Sequence, residues 1–291
     1  MTALLAGIAE SGGFDARDAG CFLGTSAGSI VAASLVGGIA PADRLEREGA
    51  SPPAGEEWPI AQDAERAPLS GPLAAALELG GTAAAPLASL ALNTTAAGGA
   101  FVRRAMLSRV PEGTRSLAAL GQLIAVATEG FDDRLLVATV ELDSGRRVVF
   151  GAPDAPHATV SQAVMASCAI PGFFAPIEIG GRRYVDGGAW SPTNMDAVPV
   201  RGGERVLCLN PTGSLRSSAL AGAFGSVSRT VNASEALALR HRGASVQVVN
   251  PDAPSATAMG TNLMSRRRRG EVIAAGHSQG RRLALSDAQA A

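Results

Sequence analysis

The residues Gly24-Thr25-Ser26-Ala27-Gly28 follow a short apolar run, Cys21-Phe22-Leu23, and precede a small-residue stretch from Ser29 to Val36. That order reads as strand, sharp turn, helix, with a serine at the turn. A G-x-S-x-G in this setting is a nucleophile elbow. Glycines on both sides allow a tight, strained backbone, and the hydroxyl is left exposed at the end of a sheet strand. The start of the following helix offers free N–H groups, that of Ala27 first, and the positive end of its dipole to an oxyanion formed there. The chemistry predicted is acyl transfer from Ser26. A second match, Gly276-His277-Ser278-Gln279-Gly280, is a decoy. An elbow serine of the usual hydrolase type is followed by an acid and then a histidine, and no histidine follows Ser278. Residues 266–285 read better as one Arg-rich helix.

A serine needs a base. The chain has three histidines, and none sits in a motif built to position one. His157 lies in a Pro-flanked loop, His241 ends an Ala/Leu-rich helical stretch, and His277 belongs to the decoy. The better candidate is Asp186 in Tyr184-Val185-Asp186-Gly187-Gly188, after the polar turn Gly180-Gly181-Arg182-Arg183. Gly187 and Gly188 allow a tight turn and close backbone approach just after the carboxylate. A carboxylate is a weak base in water, so the site must desolvate it or otherwise raise its pKa. The two remaining readings are a Ser-His-Asp esterase that recruits His241 and an ordinary Asp-Gly turn without chemistry.

Alternating elements must carry these residues. Helices are predicted over 2–11, 26–37, 159–169 and 267–286, and strands over 19–23, 134–141, 147–150, 183–185, 205–209 and 245–250. Asp143-Ser144-Gly145 turns the second of these strands into the third as a hairpin. The pattern predicts an α/β fold with a mainly parallel central sheet covered by helices on both faces. At 291 residues, 46% of them hydrophobic and 18% charged, the chain is expected to form one domain over 1–291. A helical, low-charge subdomain is expected at about 60–108, because from Ala67 to Val102 the only charge is Glu78. It reads as helices packed on the sheet, or as a cap that touches lipid if Leu77, Leu79, Leu87, Leu90 and Phe101 are exposed. The net charge of −1 predicts no nucleic-acid partner. The positive charge is all arginine, so a phosphate-binding loop over 24–29 lacks its lysine. Cys21, Cys168 and Cys208 have no metal-type spacing and read as small core hydrophobes in a reducing cytoplasm. No metal or cofactor is expected.

The chain resembles the patatin-like phospholipases. The resemblance rests on Gly24-Thr25-Ser26-Ala27-Gly28-Ser29, on Ala166-Ser167-Cys168-Ala169-Ile170-Pro171-Gly172-Phe173-Phe174, on the strand pair around Pro176-Ile177-Glu178-Ile179, and on Asp186-Gly187-Gly188. Their order and spacing look like that family from Met1 to about Pro199. The resemblance implies a Ser–Asp dyad of Ser26 and Asp186, hydrolysis of lipid acyl esters through an acyl-enzyme, and peripheral contact with the inner face of a membrane. Members of the family carry a glycine-rich loop after their first strand, whose N–H groups form most of the oxyanion hole. Met1-Thr2-Ala3-Leu4-Leu5-Ala6-Gly7 resembles the helix after that loop. The expectation is therefore a native start upstream of Met1 or a truncated, poorly active copy, since one lost oxyanion donor lowers kcat by about 10²–10³. The different-class alternative is a non-catalytic relative that binds lipid or a partner.

Overall fold

The sheet is organised around β2, Leu135–Glu141, whose residues from Leu135 to Val140 are all buried. The computed structural model describes residues 1–12, 14–49, 99–128, 130–214, 219–260 and 267–283. β1, Phe22–Thr25, lies parallel to β2, and β3, Arg147–Phe150, lies antiparallel to it. β5, Arg182–Asp186, pairs antiparallel with β2 and with β4, Ile177–Ile179. Separately, β6, Arg205–Leu209, and β7, Ser245–Val249, form a parallel pair. The α/β class stands, but the main sheet is mixed where a mainly parallel one was expected. The cause is local. The turns at Asp143-Ser144-Gly145 and Gly180-Gly181, with Gly145, Gly180 and Gly181 all at positive φ, fold the chain straight back, so the next strand can only pair antiparallel.

The register decides the site. Val137 and Ala138 pair with Gly24 and Thr25 of β1 and also with Phe150 and Val149 of β3. Thr139 and Val140 pair with Asp186 and Val185 of β5 and also with Val148 and Arg147 of β3. A strand has two edges, so β1 and β5 share the edge opposite β3. One runs parallel to β2 and the other antiparallel, and their C-terminal ends abut at the adjacent positions Ala138 and Thr139. The residue after β1 is Ser26 and the last residue of β5 is Asp186. β1 also runs two residues further than the predicted 19–23, because Gly24 and Thr25 stay in the ladder before the chain turns.

Alternation along the strands sends side chains to two cores. Leu135 and Val137 of β2 and Tyr184 of β5 join the large core with Phe22, Phe150, Val160, Ala163 and Val164. Val140 and Val185 face the other way, onto Leu107 and Ala189. Both faces are thus covered, one by α2, Ala27–Val36, and α6, Val160–Ser167, and the other by α4, Gly99–Leu107. Thr159 and Gln162 start α6 with a capping box, which satisfies two otherwise orphaned amides. The other helices are α1, Thr2–Glu10; α3, Pro41–Gly49; α5, Ala118–Ala127; α7, Ala219–His241; α8, Ala253–Met259; and α9, Arg269–Arg282.

The decoy motif lies on α9, and its last glycine, Gly280, has a packing reason. A Cβ on Gly280 would come within 2.1 Å of the Leu4 carbonyl oxygen, and one on Gly7 within 2.2 Å of that of His277. The two glycines let α1 and α9 approach backbone to backbone. Most of the low-charge stretch at 60–108 lies outside the described residues, as do Leu77, Leu79, Leu87 and Leu90. Its end is the helix α4, where Phe101 is 78% exposed and Arg103 and Leu107 are buried. Among the described residues no helix is long and apolar enough to cross a membrane.

Candidate active site

Ser26 has φ 51° and ψ −127°, a conformation that costs a residue with a side chain on the order of 1–3 kcal/mol. Among the described residues only one other non-glycine has positive φ, Asn194. The strain is carried by the serine itself, where flanking glycines were expected to bear it. Neither Gly24 nor Gly28 has positive φ. Gly24 is needed because the helix starts so close, and a Cβ there would lie 2.3 Å from the Ser29 Cα. A Cβ on Gly28 would meet open space, so the second glycine is not required by packing.

Hydrogen bonds hold the turn. The Ser26 N–H donates to Ser167 Oγ at 2.9 Å, and that hydroxyl donates to the Ala138 carbonyl at 2.7 Å. Ser167, the last residue of α6 and fully buried, therefore ties the elbow to β2. The Ser26 carbonyl accepts from the N–H and Oγ of Ser29 at 2.8 and 2.6 Å. The amides of Ala27 and Gly28 have no acceptor among the described residues, as expected for the first turn of a helix.

Asp186 is 2% exposed. Its Oδ1 accepts from the Gly188 N–H at 2.6 Å, and its own N–H donates to the Ala169 carbonyl at 2.9 Å. Gly187 is dictated by contact, since a Cβ would come within 2.3 Å of the Ala138 carbonyl oxygen. Burial pushes the Asp186 pKa up to about 7, against the downward pull of hydrogen bonds from the Ser26 side chain and the Gly188 amide. Desolvation disfavours the ionised form, and the result is a carboxylate poised as a base near neutrality.

Ser26 and Asp186 both open onto a cleft of about 2440 Å³, whose walls include Leu23, Val31, Leu207 and Leu209. The other candidates do not reach it. His157 and His241 are exposed, and His277 pairs with Glu10 at 2.9 Å. Ser278 accepts a hydrogen bond from Arg282 at 2.5 Å on the same helix. Cys168 does lie beside this pair of residues, in contact with Ser29 at 3.9 Å, but burial raises its thiol far above neutrality. Burial likewise raises Cys21, and pushes Cys208 up to about 12. None is a thiolate at neutral pH. Among the described residues no group of three or more His, Cys, Asp or Glu could hold a metal ion.

Two buried polar groups beside the site escaped the sequence reading. Asn194 is fully buried in the loop after the Asp186 turn, and Glu235 on α7 is 7% exposed beneath that loop. Asn194 carries no periodic signal. Glu235 does, because it falls on the stripe Ser228, Asn232, Glu235, Ala236 and Leu239, all buried, with Asn232 three and four residues before Glu235 and Ala236, as one helix face requires.

A family model described as patatin-like phospholipase matches residues 17–199, a span that includes β1, the elbow, Ser167, Asp186 and Asn194. No curated protein matches the chain.

Proposed function

The chain belongs to the patatin-like phospholipase family, and on that premise we propose that it is a serine acyl hydrolase that cleaves carboxylic esters of lipids through Ser26 and Asp186. The observation that carries this reading is the shared edge of β2, along which a strained serine and a buried carboxyl meet end to end. Asp186, with its pKa near 7, accepts the Ser26 hydroxyl proton as Oγ attacks the ester carbonyl carbon. The tetrahedral oxyanion forms at the N-terminus of α2, where the Ala27 N–H is free to donate and the helix dipole is favourable. Collapse expels the alcohol, which takes the proton from Asp186, and leaves an acyl-Ser26 ester. Asp186 then deprotonates a water molecule that attacks this ester, which releases the acid and restores Ser26. The apolar walls Leu23, Val31, Leu207 and Leu209 suit an acyl chain. The Ser-His-Asp alternative loses support because His241 is exposed at the end of α7.

The test is reaction of the folded protein with a fluorophosphonate probe, followed by mass spectrometry of the adduct, alongside a p-nitrophenyl ester chain-length series. The expected result is one adduct on Ser26, none in Ser26→Ala, and higher kcat/KM for longer acyl chains. A well-folded protein that takes no label at Ser26 would favour a binding role over catalysis.

A further inference from the structure

The nucleophile and the base belong to different strands, so something must keep Thr25 and Gly187, the residues next to them, at a fixed separation. β2 aligns the two strand ends, but the loops beyond those ends leave the sheet. Among the described residues, the side chain that hydrogen-bonds to both is that of Asn194. Its Nδ2 lies 3.1 Å from Thr25 Oγ1, 3.2 Å from the Gly187 carbonyl oxygen and 2.8 Å from that of Ser191. An amide nitrogen has two protons, so these three acceptors use it fully. Thr25 Oγ1 in turn donates to the Thr193 carbonyl at 3.2 Å, which closes a ring between the elbow and the loop. Asn194 is fully buried and sits at φ 52°, ψ 23°, a left-handed conformation that Asn tolerates better than most residues.

The loop is itself pinned from outside. Glu235 Oε2 accepts from the Met195 N–H at 3.1 Å and from Thr193 Oγ1 at 2.8 Å. Arg147 holds Asp196 through two contacts of 2.5 and 2.9 Å, and Arg242 donates to the Asp196 carbonyl at 2.7 Å. The backbone on both sides of Asn194 is thus anchored to α7 and β3, and its amide transmits that anchor to the two catalytic turns.

We infer that Asn194 is a positioning residue that sets the separation of Ser26 and Asp186, with Glu235 as the anchor of its loop. The inference rests on the Ser26–Asp186 reading for its catalytic consequence, but not for its structural one. Asn194→Gly is the cleanest perturbation, because glycine accepts positive φ without strain and only the amide is lost. Asn194→Asp is the second variant; it keeps size and tolerates the left-handed backbone while it turns a donor toward three acceptors into an acceptor.

Two measurements are made on each. With a p-nitrophenyl ester, kcat is expected to fall roughly 10- to 100-fold with KM within about twofold, the penalty of a misplaced reacting group. By hydrogen exchange, the amides of Ser26 and Asp186, bonded to Ser167 Oγ and the Ala169 carbonyl, are expected to exchange roughly tenfold faster or more, whereas those of α1 and α9, which pack on each other, keep their rates. Wild-type exchange at both amides in a folded variant would overturn the inference, whatever the activity. An active, Ser26-labelled wild type with unchanged kcat in both variants would overturn it as well and leave the catalytic reading standing. Faster exchange in a protein whose wild type never labels would uphold the inference and sink that reading.

Discussion

The buried carboxyl of Asp186 makes a prediction in which stability and activity move in opposite directions. Asp186→Asn replaces a titratable group by a neutral one of the same shape, and the amide oxygen can still accept the Gly188 N–H bond seen at 2.6 Å. In the folded wild type burial pushes the Asp186 pKa up to about 7, against about 3.9 in an unfolded chain. Between those values the folded state keeps a proton that the unfolded state has released. The stabilisation is therefore complete below about pH 4 and is lost as pH rises through 7. A shift of about three units at about 1.36 kcal/mol each gives on the order of 4 kcal/mol lost by pH 8. The Asn variant has nothing to ionise there and escapes the loss. Glu235, also raised to about 7 by burial, weakens both proteins alike and cancels in the comparison. Urea unfolding of both proteins at pH 5 and pH 8 measures the difference. The variant should gain about 4 kcal/mol over wild type at pH 8 and about 1.5 kcal/mol at pH 5, roughly one pH unit above the unfolded pKa, and lose ester hydrolysis at both. Parallel pH dependences of unfolding free energy in the two proteins would refute the argument that this carboxyl is buried and costly to ionise. In the wild type, kcat/KM should rise about tenfold per pH unit below 7 and level off above it.

Two further outcomes follow from the packing. Ser167→Ala removes the acceptor of the Ser26 N–H and the donor to Ala138; thermal unfolding should show a loss of about 1–3 kcal/mol, and kcat should fall more than KM rises. Gly280→Ala drives a methyl into the Leu4 carbonyl and should destabilise by about 1–3 kcal/mol through overpacking, whereas Ser278→Ala, in the same motif, should leave both melting temperature and hydrolysis unchanged.

What short-range chemistry controls was legible in the chain. The elbow at Gly24–Gly28, the hairpins at Asp143–Gly145 and Gly180–Gly181, the helix over Val160–Ser167 and the strands β6 and β7, though not their pairing, are read from turn residues, caps and apolar runs, each within a few residues of its cause. The decoy serine could be set aside on chain order alone, although the reason for Gly280 beside it, the α1–α9 contact, could not be seen. Long-range pairing was not legible: the local turns made β2–β3 and β4–β5 hairpins, but nothing near β5 in the chain says that it lies antiparallel to β2. That pairing brought together two residues 160 positions apart, Ser26 and Asp186, because β1 and β5 end head to head on one edge of β2. Sequence named the proposed nucleophile, Ser26, and the proposed base, Asp186. Only the tertiary structure buried that carboxyl enough to push its pKa up to about 7, moved the strain of the turn from the glycines onto the serine, and put Asn194 between the two. Burial, desolvation and a shared hydrogen-bond partner belong to space around a residue, and no pattern of neighbours in sequence encodes them.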